Sequence, residues 1–162
     1  MVVVDSSALI PLSWVGRLDL VEDIFDDIHT TRGVSDEVLV EGKRGTAALE
    51  TFLEDVTLHP TPEDAEAVAE LDGVATTDAE VGLLAEAEAE PLLANDRALI
   101  EVARSHRVDT WWVTTLLLKA TKDGILAPEG ASDLLYDLVD EGVNFHPKLY
   151  VKVHRALDGL EK

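Results

Sequence analysis

Two aspartates in this sequence follow short apolar runs, and their positions are its clearest chemical signal. Asp5 follows Val2–Val4, and Asp96 follows Leu92–Ala94 after the single residue Asn95. Apolar runs of this length, followed by residues that can begin a helix, are typical of buried strands in a parallel sheet. Because ligands bind such sheets beyond the carboxyl ends of the strands, both carboxylates are expected at that edge.

Three other acids occupy positions that could bring them to the same place. Asp78 stands at the predicted start of a helix, which Thr77 or Asp78 caps, and Glu37 and Glu41 lie on one predicted short helix. Each also fits a plain structural role, Asp78 as a cap and the two glutamates as a solvated pair one turn apart. The sequence leaves these alternatives open.

Alternating strands and helices along the chain predict the elements that position these acids. Strands are predicted over 2–4, 28–31, 56–59, 92–94 and 110–113. Helices are predicted from 6 or 7, over 18–25, 35–41, 47–53 and 63–71, from 77 or 78, over 97–106, from 114 or 115, and over 132–140 and 149–157. This alternation predicts an α/β fold with a mainly parallel sheet of four to five strands covered on both faces. We expect one domain over residues 1–162.

Composition excludes several classes of protein. The chain has 33 Asp and Glu against 13 Lys and Arg, a net charge of −20, 46% hydrophobic residues and no cysteine. The apolar content argues against disorder, and the lack of cysteine excludes disulfide scaffolds and zinc–thiolate sites. The longest uncharged stretch, 6–16, is too short for a membrane span, and no signal peptide is visible, so a soluble cytoplasmic protein is predicted.

The acidic residues are spread along the whole chain. This pattern favours a surface adapted to molar salt over a site for basic partners, and it gives no basic face typical of nucleic-acid binding. About one residue in five is acidic. A single acid is therefore no evidence of chemistry unless its structural position is special.

Four segments together resemble the PIN domain, the fold of VapC-type toxin ribonucleases, in an acidic form of haloarchaeal type. They are Val-Val-Val-Asp-Ser-Ser-Ala-Leu-Ile at 2–10, Val-Leu-Val-Glu-Gly at 38–42, Thr-Asp-Ala-Glu-Val-Gly at 77–82 and Leu-Leu-Ala-Asn-Asp-Arg at 92–97. Residues 113–126 are similar to the tail of a PIN subgroup of uncharacterised archaeal and bacterial proteins. The resemblance implies a three-layer α/β/α fold.

The resemblance also implies roles for individual residues. Asp5, Asp78 and Asp96 would bind Mg²⁺ or Mn²⁺, which all-oxygen sites favour, and Glu41 would orient the water that attacks an RNA phosphodiester. Clustered carboxylates repel one another and stay ionised by binding such a cation. The alternates and helpers are Glu37 in place of Glu41, Glu80 in place of Asp78, Ser7 and Asn95 as hydrogen-bond donors that fix the carboxylates, and Arg97, Lys43 and Arg44 as contacts to RNA.

Partners follow from the same resemblance. PIN toxins form homodimers and bind a small antitoxin protein. The apolar stripe 18–25 fits either the core of the monomer or a dimer face, and the resemblance favours the dimer face. The alternative functions are a PIN-like interaction module that does not cut, and a phospho-acceptor receiver domain. A receiver needs an acceptor aspartate at the end of a central strand in mid-chain, where this sequence has Pro60, so we set that alternative aside.

Overall fold

Five short parallel strands form the sheet of the computed structural model, which describes residues 1–145 and 147–161. Their order across the sheet is β3-β2-β1-β4-β5. Val3 of β1 pairs with His29 of β2 on one side and with Leu92 of β4 on the other. The α/β fold with a parallel sheet is confirmed. The strands are β1 (Val2–Val4), β2 (Ile28–Thr31), β3 (Thr57–His59), β4 (Leu92–Leu93) and β5 (Thr110–Trp111).

Ten helices accompany the sheet in the described part of the chain. All three residues of β1 are fully buried, so both faces of the central strand are covered. Among the described residues, no helix has the length and apolar character needed to cross a membrane. The helices are α1 (Ser6–Trp14), α2 (Asp19–Ile24), α3 (Arg32–Val38), α4 (Thr46–Leu53), α5 (Ala65–Asp72), α6 (Thr76–Glu88), α7 (Arg97–Ser105), α8 (Val113–Lys122), α9 (Pro128–Asp140) and α10 (Pro147–Glu161).

The strand order reverses between β1 and β4. From β1 the chain builds outward through β2 and β3, then returns to place β4 and β5 on the other side of β1. Such a reversal opens a crevice at the carboxyl ends of the two strands, where open α/β sheets bind their ligands. Asp5 follows β1 directly, and Asn95 and Asp96 follow β4, so all three lie at this crevice.

The predicted starts of α1, α3 and α6, which carry candidate site residues, are wrong in detail. Asp5, not Ser6 or Ser7, caps α1, and α6 begins at Thr76 with Ala75 as its cap, so Asp78 lies inside the first turn. Helix α3 begins at Arg32 rather than at residue 35, and it ends at Val38 rather than beyond 40. The hydroxyl of Thr31, the last residue of β2, accepts the Val34 N–H at 3.3 Å, and this cap starts α3 directly at the strand end.

The stripe 18–25 packs into the core, which corrects its prediction as a dimer face. Leu20 and Val21 are fully buried, and Leu18 is nearly so. The Phe25 ring meets Trp111 of β5 edge to face, with ring centroids 5.1 Å apart. The apolar side chains of this segment therefore stabilise the monomer.

Candidate metal centre

Asp5 is held in place where β1 gives way to α1. Its Oδ2 accepts hydrogen bonds from the Ser7 N–H at 3.1 Å and from the Ser7 hydroxyl at 2.6 Å, and only 1% of the residue is exposed. Burial raises the pKa of this carboxyl; the Ser7 hydrogen bonds oppose the rise, and the charge of Glu37 adds to it. Asp5 is thus a fixed carboxylate whose ionised form is disfavoured.

Two buried oxygen atoms at the crevice lack hydrogen-bond partners among the described residues. They are Oδ1 of Asp5 and Oδ1 of Asn95. Leaving a buried polar atom unpaired costs free energy, so such atoms in native proteins are usually paired or bound to a ligand. Both atoms are acceptors, which suits a cation or a hydrogen-bond donor.

Ser7 joins the ends of the two central strands. Its hydroxyl donates to Asp5 and accepts the Asn95 N–H at 2.9 Å, so one oxygen atom connects β1 and β4 across the switch point. Asn95 takes part in this link through its backbone. The link orients the Asp5 carboxylate relative to the segment that carries Asp96.

Asp96 is positioned by the start of α7. It is the N-cap of that helix, and its Oδ1 accepts hydrogen bonds from the N–H groups of Ala98 at 2.9 Å and Leu99 at 3.3 Å. The residue is half-buried. The Asp96 carboxylate therefore has two roles, because it begins α7 and also lies at the edge of the crevice. These roles explain why an aspartate follows so soon after the strand in the sequence.

The pKa of the Asp78 carboxyl is raised as well. Its pKa is raised to about 6, first by burial and then by the negative charges of Asp5, Asp96 and Glu37, against a smaller opposing effect of the Ala75 backbone. Charges act this strongly only at short range. The structure therefore brings these four carboxylates, from four different elements, into one electrostatic cluster.

Glu37, not Glu41, is the glutamate of this cluster. Because α3 starts three residues earlier than predicted, Glu37 lies in its last turn, and its charge raises the pKa of both Asp5 and Asp78. Glu41 lies beyond the helix, in an exposed turn. A strand ending in Thr31 was the sequence signal that could have placed the helix start, since threonine is a preferred cap.

Glu80 occupies a different environment from Asp78. It is 5% exposed and accepts the Thr31 hydroxyl at 3.1 Å. Its carboxylate also lies against Gly33, where a Cβ atom would stand 2.1 Å from Oε2. Glu80 therefore stabilises the junction of β2 and α3.

The predicted RNA contacts are all exposed, but they differ in surroundings. Arg97 follows Asp96 directly in the chain, and its Nε donates to Glu101 at 3.0 Å. Arg44 forms an ion pair with Glu141, with 2.7 Å between Nη2 and Oε1, and lies 5.7 Å from the Trp14 ring. Lys43 lies in the turn after α3. Arg97 is thus beside the crevice, while Arg44 is engaged with α9.

The carboxylate cluster fits a divalent cation by donor type and by charge. Every donor is an oxygen atom, the Asp5 Oδ1 is unpaired, and the mutual repulsion at Asp78 is what a bound cation relieves. Within 1–145 and 147–161, no group of three or more His, Cys, Asp or Glu side chains is gathered at ligand spacing. Binding a cation would therefore draw the side chains of the cluster together.

Comparison with known proteins gives a family match and a structural likeness. A family model described as DUF3368, a PIN domain, matches residues 1–158. The crystal structure of PAE2754 from Pyrobaculum aerophilum is similar to this chain, with a TM-score of 0.55 and 22% sequence identity, over 75% of this chain and 96% of that one. The sequence matches none of the curated proteins with which it was compared.

Proposed function

This chain belongs to the PIN domain family, whose members are generally nucleases, and from that premise we propose that it is a metal-dependent endoribonuclease. The substrate would be RNA, cut at its phosphodiester bonds. The observation that carries the proposal is the position of Asp5 and Asp96 at the crevice between β1 and β4, where the buried Asp5 Oδ1 has no hydrogen-bond partner among the described residues. The raised pKa of Asp78 supports it. Clusters of groups with altered pKa at a crevice are typical of active sites.

Asp5, Asp78 and Asp96 are the residues that would hold Mg²⁺ or Mn²⁺. When bound, such an ion lowers the pKa of an attacking water and stabilises charge on the leaving oxygen. Ser7 keeps the Asp5 carboxylate turned so that Oδ2 is occupied and Oδ1 is available. Glu37 would accept a hydrogen bond from the attacking water and orient it, the role that the sequence assigned to Glu41.

The biological role we propose is that of a toxin in a type II toxin–antitoxin pair, acting in the cytoplasm. Its partners would be RNA, a small antitoxin protein and a second copy of the chain. Support comes from the segments at 2–10 and 92–97, which resemble VapC-type toxins. A dimer would use a surface other than the stripe 18–25, since that stripe is in the core.

Replacing Asp5 tests the proposal. Asp5→Asn preserves an acceptor for Ser7 but removes the charge, so we expect RNA cleavage in Mg²⁺ or Mn²⁺ to fall by about 100-fold or more. The measurement is cleavage of a labelled single-stranded RNA, with and without a chelator. Circular dichroism checks that the variant is folded.

Glu37→Gln and Glu41→Gln form a matched pair in the same experiment. The first should lower cleavage by about 10- to 100-fold, and the second, in an exposed turn, should leave it unchanged. If the Asp5→Asn variant cleaves RNA at the same rate as the wild type, the assigned site is refuted. A wild-type chain that neither cuts RNA nor binds Mn²⁺ by calorimetry would instead be a non-cutting interaction module.

A further inference from the structure

An open groove of about 760 Å³ lies directly beside the carboxylate cluster. Helix α7 forms one side, and residues from the end of β5 and from the segment before α10 form the rest. Its volume is within the range of sites that hold organic ligands of nucleotide size. The lining residues that matter here are Asn95, Arg97, Glu101, Arg104, Trp112 and Phe145.

Asn95 makes the groove continuous with the crevice. Its backbone N–H is bonded to Ser7, which holds Asp5, while the residue also lines the groove. A polymer bound at the crevice therefore meets the groove within one residue of Asp96.

The groove concentrates positive charge in a strongly acidic chain. Arg97 and Arg104 are seven residues apart on α7, two turns along the same side of the helix, in a protein of net charge −20. The Arg104 Nε donates to the Thr110 hydroxyl at 2.8 Å, which fixes the guanidinium in place. Guanidinium groups bind phosphate through paired N–H donors.

The ion pair of Arg97 does not oppose this role. Arg97 and its partner Glu101 are 82% and 63% exposed, and such surface pairs contribute little stability. A phosphate can replace the carboxylate on Arg97. Glu101 is then a competitor for the same guanidinium.

Two aromatic side chains add a second kind of contact. Trp112 and Phe145 are half-buried and line the same groove. Aromatic rings bind the bases of single-stranded nucleic acids by stacking, with little dependence on sequence. Guanidinium groups and aromatic rings beside a nuclease site match the alternating phosphates and bases of an RNA strand.

We propose that this groove binds the single-stranded RNA that flanks the cleaved bond, with phosphates on Arg97 and Arg104 and a base stacked on Trp112. The inference rests on the proposed nuclease function. It adds the surface and the residues that would bind the strand beside the cleaved bond.

The test measures RNA binding separately from cleavage. A fluorescein-labelled single-stranded RNA is titrated with the full chain, followed by anisotropy, with Ca²⁺ in place of Mg²⁺ and again in chelator. Arg104→Gln should weaken binding, and it should lower the slope of log affinity against log salt by about 0.7. Arg17→Gln is the control, since it removes the same positive charge at a residue that pairs with Asp19 and does not line the groove, and it should change nothing.

Two further variants separate this role from a structural one. Trp112→Leu should weaken binding by about 5- to 100-fold, whereas Trp112→Phe, which keeps a ring, should stay close to the wild type. Glu101→Gln should tighten binding severalfold because it removes the competitor. Opposite changes from neighbouring residues would not result from loss of folding.

The outcomes distinguish this inference from the proposed function. If Arg104→Gln and Trp112→Leu bind RNA as tightly as the Arg17→Gln control, the groove assignment is wrong even if the wild type cuts RNA. If both lose binding and the wild type cuts no RNA, the groove assignment stands and the nuclease proposal fails. Binding of poly-glutamate in place of RNA, with the same dependence on Arg104, would identify an acidic peptide as the ligand and overturn the inference.

Discussion

The carboxyl of Asp78 responds to the charge of its whole surroundings. Its pKa of about 6 in the folded chain lies above the value near 3.9 expected for aspartate in an unfolded chain. Between these two values the folded state binds more protons than the unfolded state does. Raising the pH through this interval therefore lowers the free energy of unfolding of the metal-free protein.

Asp78→Asn should remove this pH dependence in part. In chelator at pH 4 the variant and the wild type should melt at similar temperatures. At pH 7.5 the variant should be more stable, because it lacks the charge that the neighbouring carboxylates repel. Solvent screens this repulsion at a half-buried site, so the expected gain is only about 1 kcal/mol, or about 2–4 °C in Tm. The measurement is the Tm as a function of pH, with Glu41→Gln as the control. If the Tm of Asp78→Asn and that of the wild type change equally with pH, the carboxylate cluster is contradicted.

The link between β1 and β4 is the main feature of the site at the scale of elements. One hydroxyl, that of Ser7, satisfies Asp5 on one element and the Asn95 N–H on the other. Removing the hydroxyl leaves the Asn95 N–H without a partner, and it leaves Oδ2 of the buried Asp5 carboxylate with only the Ser7 N–H. An unpaired group of this kind costs about 1–3 kcal/mol.

Ser7→Ala should therefore lower the free energy of unfolding by about 1–3 kcal/mol and also reduce RNA cleavage, since Asp5 is no longer fixed. Ser105→Ala is the control: its hydroxyl donates to Val102 on an exposed stretch of α7, and its loss should cost less than about 0.5 kcal/mol. Urea unfolding measures both variants. Equal stability of the two variants would show that the link contributes nothing.

The sequence predicts those elements that a local pattern defines. Strands β1 and β4 are short apolar runs that end in polar residues, and the acids that follow them are visible for that reason. The parallel sheet follows from the alternation of strands and helices. Both features depend on residues that are neighbours in the chain.

The sequence does not predict features that depend on distant contacts. Helix α3 begins with Arg32 and Gly33, and because glycine is a poor helix former, the local pattern predicts a later start and favours Glu41 over Glu37. A side chain at position 33 would meet the carboxylate of Glu80, from α6, which would then have to shift. The groove likewise combines α7 with Trp112 and Phe145, which no local pattern connects.

The charge of the whole molecule is distributed as small surface pairs and unpaired acids. Arg17 pairs with Asp19, Arg97 with Glu101 and Lys119 with Asp123, each within a few residues along the chain. With 33 acids and 13 bases, most carboxylates have no basic partner available. We propose that the surface is adapted to molar salt, where repulsion is screened within about 3 Å.

Stability should therefore rise with salt. The Tm should increase steadily from low salt to molar KCl, because screening removes self-repulsion from the folded state. Sucrose is the control, since it favours the folded state without screening charge and should not replace the salt. A Tm that is unchanged by KCl would contradict the adaptation, whatever the outcome at the site.

The central place of β1 in the sheet has a consequence for the time at which the site forms. Ser7 is synthesised before Asn95, which completes the link to β4 and lies 88 positions further along the chain. At about 5–20 residues per second, roughly 4–18 s of synthesis separate the two. During that interval a nascent chain carries the Asp5 carboxylate with one edge of β1 still unpaired, so the crevice between β1 and β4 cannot form until β4 and Asn95 have been made.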